Sequence, residues 1–294
     1  MRLGVAFNNT SVGLDFDAIR DLVVAIEDAG FDGVSANDHV IGAHPDRSDG
    51  VTMNTVDTAV HEPVVLLSMI AAVTRRLEVA TAILISPQRQ TVLLAKQTAE
   101  LDLLSDGRLR LGLGIGRNWI EYEALGEDFS TRGKRLEEQV AVLRLLWRDK
   151  LVTFDGRFHH LDRVGINPRP ARARIPIWMG SFVRQVHEPV LQRIGRVADG
   201  WMPQFPPDVL APVLERVRGY AEAAGRDPDA LGIECGIRAT PDDDPDDWVR
   251  LATAYGKLGA THLKVFPNVG DGAGLDEQLA LIVRWYEAVA PEVR

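Results

Sequence analysis

Cysteine is almost missing from this chain: Cys235 is the only one in 294 residues. A lone thiol excludes an intramolecular disulfide framework, and with no C-x-x-C pair it reads as a small core residue. Positive charge is also in short supply. Lys and Arg number 33 against 42 Asp and Glu, a net charge of −9, and no basic stripe interrupts the pattern. That argues against nucleic acid or an anionic membrane as partner, and leaves any anionic ligand to a few local arginines. No apolar run reaches the roughly 18 residues of a membrane span. Residues 1–7 are too short an apolar run for a signal peptide and lack a small-residue cleavage site, so the expected location is the cytoplasm. A Walker loop, a G-x-S-x-G elbow and an H-E-x-x-H helix are absent too. What remains, 46% hydrophobic and 26% charged residues, suits a soluble protein with a sizeable core, and the length allows two ordinary domains or one large barrel.

Strand and helix signals alternate from end to end. Short apolar strands are predicted at 3–7, where Asn8 and Asn9 turn the chain, and at 31–36, 77–85, 109–114, 175–179, 197–201, 231–237 and 261–266. Helices are predicted between them. Ile19, Leu22, Val23 and Ile26 carry helical spacing over 17–29 before Gly30, and Pro63 opens a helix over 63–73. Others follow at 91–104, from a cap at Ser130 or Thr131 through Leu136, Val140, Leu143 and Trp147, and at about 276–289. Residues 151–161 read as a hairpin turning at Asp155-Gly156, and 41–61 as a polar loop long enough to be a lid or disordered. Alternating strand and helix requires a parallel sheet. Eight such units fit a closed (β/α)8 TIM barrel with insertions after strands 2 and 4, one domain over 1–294. An open doubly wound sheet is the alternative. Its G-x-G-x-x-G turn is not met, because Gly112, Gly114 and Gly116 follow G-x-G-x-G spacing on a fourth strand.

Glycine at alternate positions strips one face of that fourth strand, so another strand or a flat ligand can approach the backbone closely. Arg117, Asn118 and Trp119 follow, suited to anions, amides and stacking. In a barrel the active residues sit at the carboxyl ends of strands, which singles out Asn8, Asp38, His39, Ser86, Arg117, Asn118, Gly180, Ser181, Trp201 and 262–266. A histidine beside a carboxylate at a strand end, as in Asp38-His39, can move a proton near neutral pH; the competing reading is a loop histidine bonded to backbone. Gly180-Ser181 ahead of a helix can hold phosphate, with Arg184 nearby, or can simply cap the helix. Trp119, Trp178 and Trp201 can line a flat ligand or fill the core. His159-His160 is not read as a metal pair, because neighbours in a strand point to opposite faces.

Several motifs together resemble the luciferase-like monooxygenase superfamily. They run from Leu77-Glu78-Val79-Ala80-Thr81 and Ile85-Ser86-Pro87 through Leu101-Asp102-Leu103-Leu104-Ser105-Asp106-Gly107-Arg108 and the glycine strand. Glu123-Ala124-Leu125-Gly126, Asn167-Pro168-Arg169-Pro170, Ile177-Trp178-Met179-Gly180 and Ala198-Asp199-Gly200-Trp201 continue the series. The resemblance implies a (β/α)8 barrel, usually a homodimer, binding a flavin-type ring at its carboxyl face, and is nearest to the branch using the deazaflavin coenzyme F420. It implies that Asp38 and His39 lie beside the ring and that a loop over 83–86, with Ile83, Leu84 and Ser86 and often a cis non-proline peptide, forms the cradle. It further places Gly114, Ile115 and Gly116 on the cofactor wall, Met179 among the cofactor-binding residues, and Gly180 and Ser181 at the phosphate. Two residues depart from the pattern. Arg117 stands where Trp is common, or Glu in the sugar-phosphate dehydrogenases, which argues against that substrate; Ser181 stands where a second glycine is common.

The expectation is therefore an F420-dependent oxidoreductase exchanging a hydride with a small organic substrate. His39 would relay the proton with Asp38 orienting it, Arg117 or Asn118 would hold the ring edge or a substrate anion, and Gly180, Ser181 and Arg184 would hold the phosphate. The 41–61 loop would close over the site. The alternatives are an FMN-dependent monooxygenase supplied with reduced flavin by a separate reductase, and a non-catalytic flavin-binding barrel.

Overall fold

The computed structural model describes every residue except 8–12, 14, 48–53, 182–186 and 271–272. Strands β1 (Arg2–Ala6) and β2 (Gly33–Ala36) begin a parallel sheet, and the third stave is split into β3 (Glu78–Thr81) and β4 (Leu84–Ile85). β5 (Leu109–Gly114) is the glycine strand. β6 (Val152–Asp155) and β7 (His160–Val164) form an antiparallel hairpin of their own, and β8 (Ile177–Ser181), β9 (Gly200–Pro203), β10 (Gly232–Ala239) and β11 (His262–Pro267) complete the sheet. β11 pairs back onto β1, and both β3 and β4 pair with β5, so the nine sheet strands make eight staves of a closed barrel. The (β/α)8 reading holds, and the open sheet is excluded.

Helices α1 (Phe16–Asp28), α2 (Pro63–Val73), α3 (Thr91–Leu104), α4 (Trp119–Ala124) and α5 (Arg132–Arg148) wrap the first half. α6 (Glu188–Val197), α7 (Pro207–Ala223), α8 (Pro245–Lys257) and α9 (Leu275–Val293) wrap the second. α1 shows how locally these elements are specified. The Asp15 carboxylate caps its start by accepting from the Asp17 and Ala18 amides, Ile19, Leu22, Val23 and Ile26 face the barrel, and Gly30 leaves at φ +97°.

Several boundaries differ from the sequence reading. The strand predicted over 77–85 breaks at Ala82-Ile83, whose peptide is cis. Val197 ends α6, and the next strand starts only at Gly200. Neither Ser130 nor Thr131 caps α5 with its side chain; Asp128 instead accepts from the Ser130 amide at the 3-10 turn before it. The hairpin turns over 156–159, where the Gly156 amide donates to the His159 carbonyl, because the Glu138 carboxylate organises a loop longer than two residues. His159 bonds Glu138 and Thr91, while His160 turns outward to Asp155.

Trp147, Trp201, Trp248 and Trp285 are fully buried. At the amino end of the barrel lies an ionic layer. The Arg110 guanidinium donates to Glu78 at 2.7 Å and to Glu234, and stacks on Trp178 with its centre 4.4 Å from the ring. Lys264 lies 2.6 Å from Glu234. The two cations hold the buried Glu234 carboxyl at a pKa of about 2 despite the opposing cost of burial. Trp178 is thus a residue of the barrel floor, away from the carboxyl face. Cys235 is buried as expected.

Candidate active site

The carboxyl ends of β2, β4, β5 and β8 converge, and most of the residues singled out in the sequence meet there. What joins them is Ile83, which follows the cis peptide. A Cβ built on Gly114 would come within 2.5 Å of Ile83 Cδ1, and one on Gly180 within 2.6 Å of Ile83 Cγ2. The neighbouring glycines do similar work: a Cβ on Gly112 would meet the Thr81 carbonyl oxygen at 2.0 Å, and one on Gly116 the Ile85 side chain at 2.8 Å. The glycine row is bare because the third stave packs onto it. Of the two readings, approach by another strand or by a flat ligand, the structure shows the first: Ile83 is half-buried and wedged between Gly114 and Gly180.

Leu84 and Met179 are buried. Ser86 is fully buried, and its hydroxyl donates to Gln139 of α5 at 2.9 Å, so its side chain supports the loop from within rather than offering a ligand contact. The Ile115 carbonyl accepts from the Tyr122 hydroxyl at 2.6 Å, which fixes the exit of β5. Arg117 is exposed, and Asn118 is buried at the cap position of α4 without a side-chain cap bond. At the end of β8 the Ser181 hydroxyl accepts from the buried Trp201 indole at 2.8 Å. Trp201 therefore orients Ser181 from the core. Asn8 and Arg184 lie outside the described residues.

Asp38 and His39 are adjacent but serve different partners. The buried Asp38 carboxylate accepts from the Ile85 amide at 2.9 Å and from Arg89 at 2.8 Å. Burial outweighs the Arg89 charge and the Ile85 bond and raises its pKa. Arg89 also reaches Glu62, the N-cap of α2, at 2.8 Å. Asp38 thus pins the loop that carries Ile83. The expectation that it orients His39 is corrected, since neighbours in an extended segment point apart.

The carboxylate that meets His39 is Glu121, on α4. His39 Nδ1 lies 3.0 Å from Glu121 Oε1, which also accepts from the Val40 amide at 3.1 Å, and Glu121 Oε2 accepts from Gln88 Nε2 at 3.1 Å. Burial pushes the Glu121 pKa up, but the bonds from His39, Gln88 and Val40 prevail and leave it below the ordinary glutamate value. Its side chain is fully enclosed, whereas 13% of the His39 side chain remains exposed. Sequence reasoning missed Glu121, Gln88 and Arg89. The available signal was positional, because Gln88 and Arg89 closely follow the carboxyl end of β4 and Glu121 lies on the short helix after β5, but nothing in their type marked them out. The described part of the 41–61 loop reaches the same helix: Arg47 lies 5.2 Å over the Trp119 ring and 3.3 Å from Glu123.

The family model described as luciferase-like monooxygenase matches residues 1–285. The chain belongs to that family. One relative is an uncharacterized protein of Mycobacterium tuberculosis, 31% identical over 229 residues, which are 75% of this chain and 77% of the relative. Another is the F420-dependent glucose-6-phosphate dehydrogenase of Nakamurella multipartita, 32% identical over 238 residues, 77% of this chain and 64% of that protein. Among solved structures, an F420-dependent secondary alcohol dehydrogenase in complex with an F420-acetone adduct superposes with a TM-score of 0.81 at 18% identity, over 100% of this chain and 99% of that one. The monooxygenase RslO1 from Streptomyces bottropensis gives a TM-score of 0.79 at 19% identity, over 100% of both chains. At these identities the structural likeness speaks for the fold.

Proposed function

We propose that this luciferase-like protein is an oxidoreductase that uses the deazaflavin coenzyme F420 and exchanges a hydride with a small organic substrate. The observation that carries this reading is the convergence of His39 with Ile83, the end of β5 and the end of β8 at one barrel mouth. The names of the Nakamurella relative and of the alcohol dehydrogenase with the same fold support the choice of cofactor. The residues suit such a group: a partly exposed aliphatic wall for a flat ring at Ile83, and an oriented hydroxyl at Ser181 for an anionic tail. When bound, the deazaflavin accepts or supplies the hydride.

The chain's own residues do the rest. His39, with its Nδ1 held by Glu121, takes or gives the proton at Nε2 as hydride moves at the adjoining carbon. Gly180 and Ser181, with Arg184, hold the phosphate. Arg117 or Asn118 binds the ring's carbonyl edge or an anionic group of the substrate. Arg47 of the 41–61 loop is tied to α4, and closure of that loop would exclude water from the site. The protein acts as a homodimer in the cytoplasm.

Purified protein titrated with F420 and with FMN, followed by ring fluorescence, tests the cofactor, and a panel of small alcohols and ketones then tests turnover. Saturable binding of F420 with hydride transfer is expected. Tight FMN binding with oxygen uptake, and no response to F420, would overturn the reading in favour of a monooxygenase. In His39→Ala, kcat should fall by about 100-fold or more while cofactor affinity stays within a few-fold. Unchanged turnover would remove His39 from the reaction.

A further inference from the structure

Glu121, in the first turn of α4, gathers three hydrogen bonds from outside its helix. Its carboxylate is fully enclosed and accepts from three donors: the His39 ring, the Val40 amide and the Gln88 carboxamide. An ionised carboxylate is acceptor-only. With Glu121 ionised, His39 Nδ1 must carry the hydrogen in that contact. His39 Nε2 makes no hydrogen bond among the described residues, and it belongs to a ring that stays partly exposed. For a neutral imidazole, a proton fixed on one nitrogen leaves the other as an acceptor.

We propose that Glu121 is the positioning residue for His39, locking the neutral ring in the Nδ1–H tautomer so that Nε2 is presented to the substrate as a proton acceptor. Gln88 completes the device. Its amide nitrogen faces the carboxylate, which fixes the carboxamide's orientation and keeps Glu121 from rotating off the ring. Gln88 Oε1 is in consequence a buried acceptor without a partner among the described residues. Because the Val40 amide shares the oxygen that His39 uses, the same carboxylate also sets the start of the 41–61 loop, so ring orientation and loop entry are fixed together. The inference rests on the reading of His39 as the proton relay. The tautomer itself can be measured whatever the cofactor proves to be.

The test is nitrogen-15 NMR of histidine-labelled protein at a pH where the rings are neutral, with the His39 signals assigned by their loss in His39→Asn. Wild type is expected to show Nδ1 protonated and Nε2 bare. In Glu121→Leu the Nδ1 acceptor is gone, and the ring should shift to the Nε2–H form or a mixture. kcat on the best substrate of the alcohol and ketone panel should then fall on the order of 10- to 100-fold, with KM within about threefold. In Glu121→Gln the amide oxygen can still accept from His39 while Gln88 turns over to accept from the new amide. That variant should keep the tautomer and lose less activity than Glu121→Leu. Should Glu121→Leu fail to fold, the wild-type and Glu121→Gln spectra still decide the matter. A wild-type ring protonated at Nε2, a tautomer unmoved in Glu121→Leu, or a Glu121→Gln enzyme that keeps the tautomer yet is as slow as Glu121→Leu would each overturn the proposal. A proton relay placed elsewhere would show as full activity in His39→Ala with these spectra as expected, and would count against the functional reading instead.

Discussion

Gly114→Ala isolates what the glycine row is for. Gly114 has no positive φ, so alanine suits its backbone, and a new Cβ is a purely steric probe. That Cβ would lie 2.5 Å from Ile83 Cδ1 and 2.8 Å from Cγ1, about 1 Å inside ordinary carbon–carbon contact. Ile83 has little room to yield. Its Cβ branching restricts χ1, and on its other side a Cβ at Gly180 would already sit 2.6 Å from Cγ2. Overpacking of this kind costs about 1–3 kcal/mol, partly offset by the ~0.4–1 kcal/mol that a stiffer unfolded chain returns. A net loss of about 0.5–2 kcal/mol should lower Tm by a few degrees, on the order of 1–6 °C for a chain of this size. Calorimetry of the single variants and of Gly114→Ala/Ile83→Ala completes the cycle. Removing the Ile83 side chain should relieve the clash, giving a coupling of about 1–3 kcal/mol. If Gly114→Ala melts at or above wild type, or its cost persists undiminished beside Ile83→Ala, then Ile83 is not what keeps position 114 bare.

Other consequences follow from the same structure. Arg110→Met leaves the buried Glu234 carboxylate with Lys264 alone, and should cost about 3 kcal/mol or more in urea unfolding; a loss under ~1 kcal/mol would mean the ionic layer contributes little. Burial, with Arg110 adding to it, lowers the His262 pKa to about 4. Between there and the unfolded value near 6.5 the unfolded chain binds the extra proton, so this group adds stability as pH rises from about 4 to 6.5. Asp102 acts in the opposite sense. Burial lifts its pKa to about 6, so its folded form keeps a proton that the unfolded chain loses above about 4, and stability falls over that range. Asp102→Asn should therefore raise Tm at pH 7 and steepen the climb of Tm between pH 4 and 6; an unchanged slope would refute the assignment.

The alternation of apolar strands with amphipathic helices was legible without coordinates, because burial on one side of each element imposes its period on the chain. Pro63, Gly30 and the apolar set of α1 marked boundaries that the structure keeps almost residue for residue. Eight such units in one chain left little besides a barrel, and the barrel rule pointed to the strand ends where His39, Ile83, Gly114 and Gly180 meet. Family membership was legible as well, since it rests on ordered motifs. Pairings across the mouth were not. Asp38 was read as the partner of His39 because it is next to it in sequence, whereas a chain that alternates its side chains sends them apart. Glu121, 82 residues away, reaches the ring only because β5 lies two staves from β2 in the closed barrel. The glycine row has the same lesson. Its spacing announced a close approach, but only closure of the barrel decided that the third stave, carrying Ile83 out of the cis peptide, fills the space.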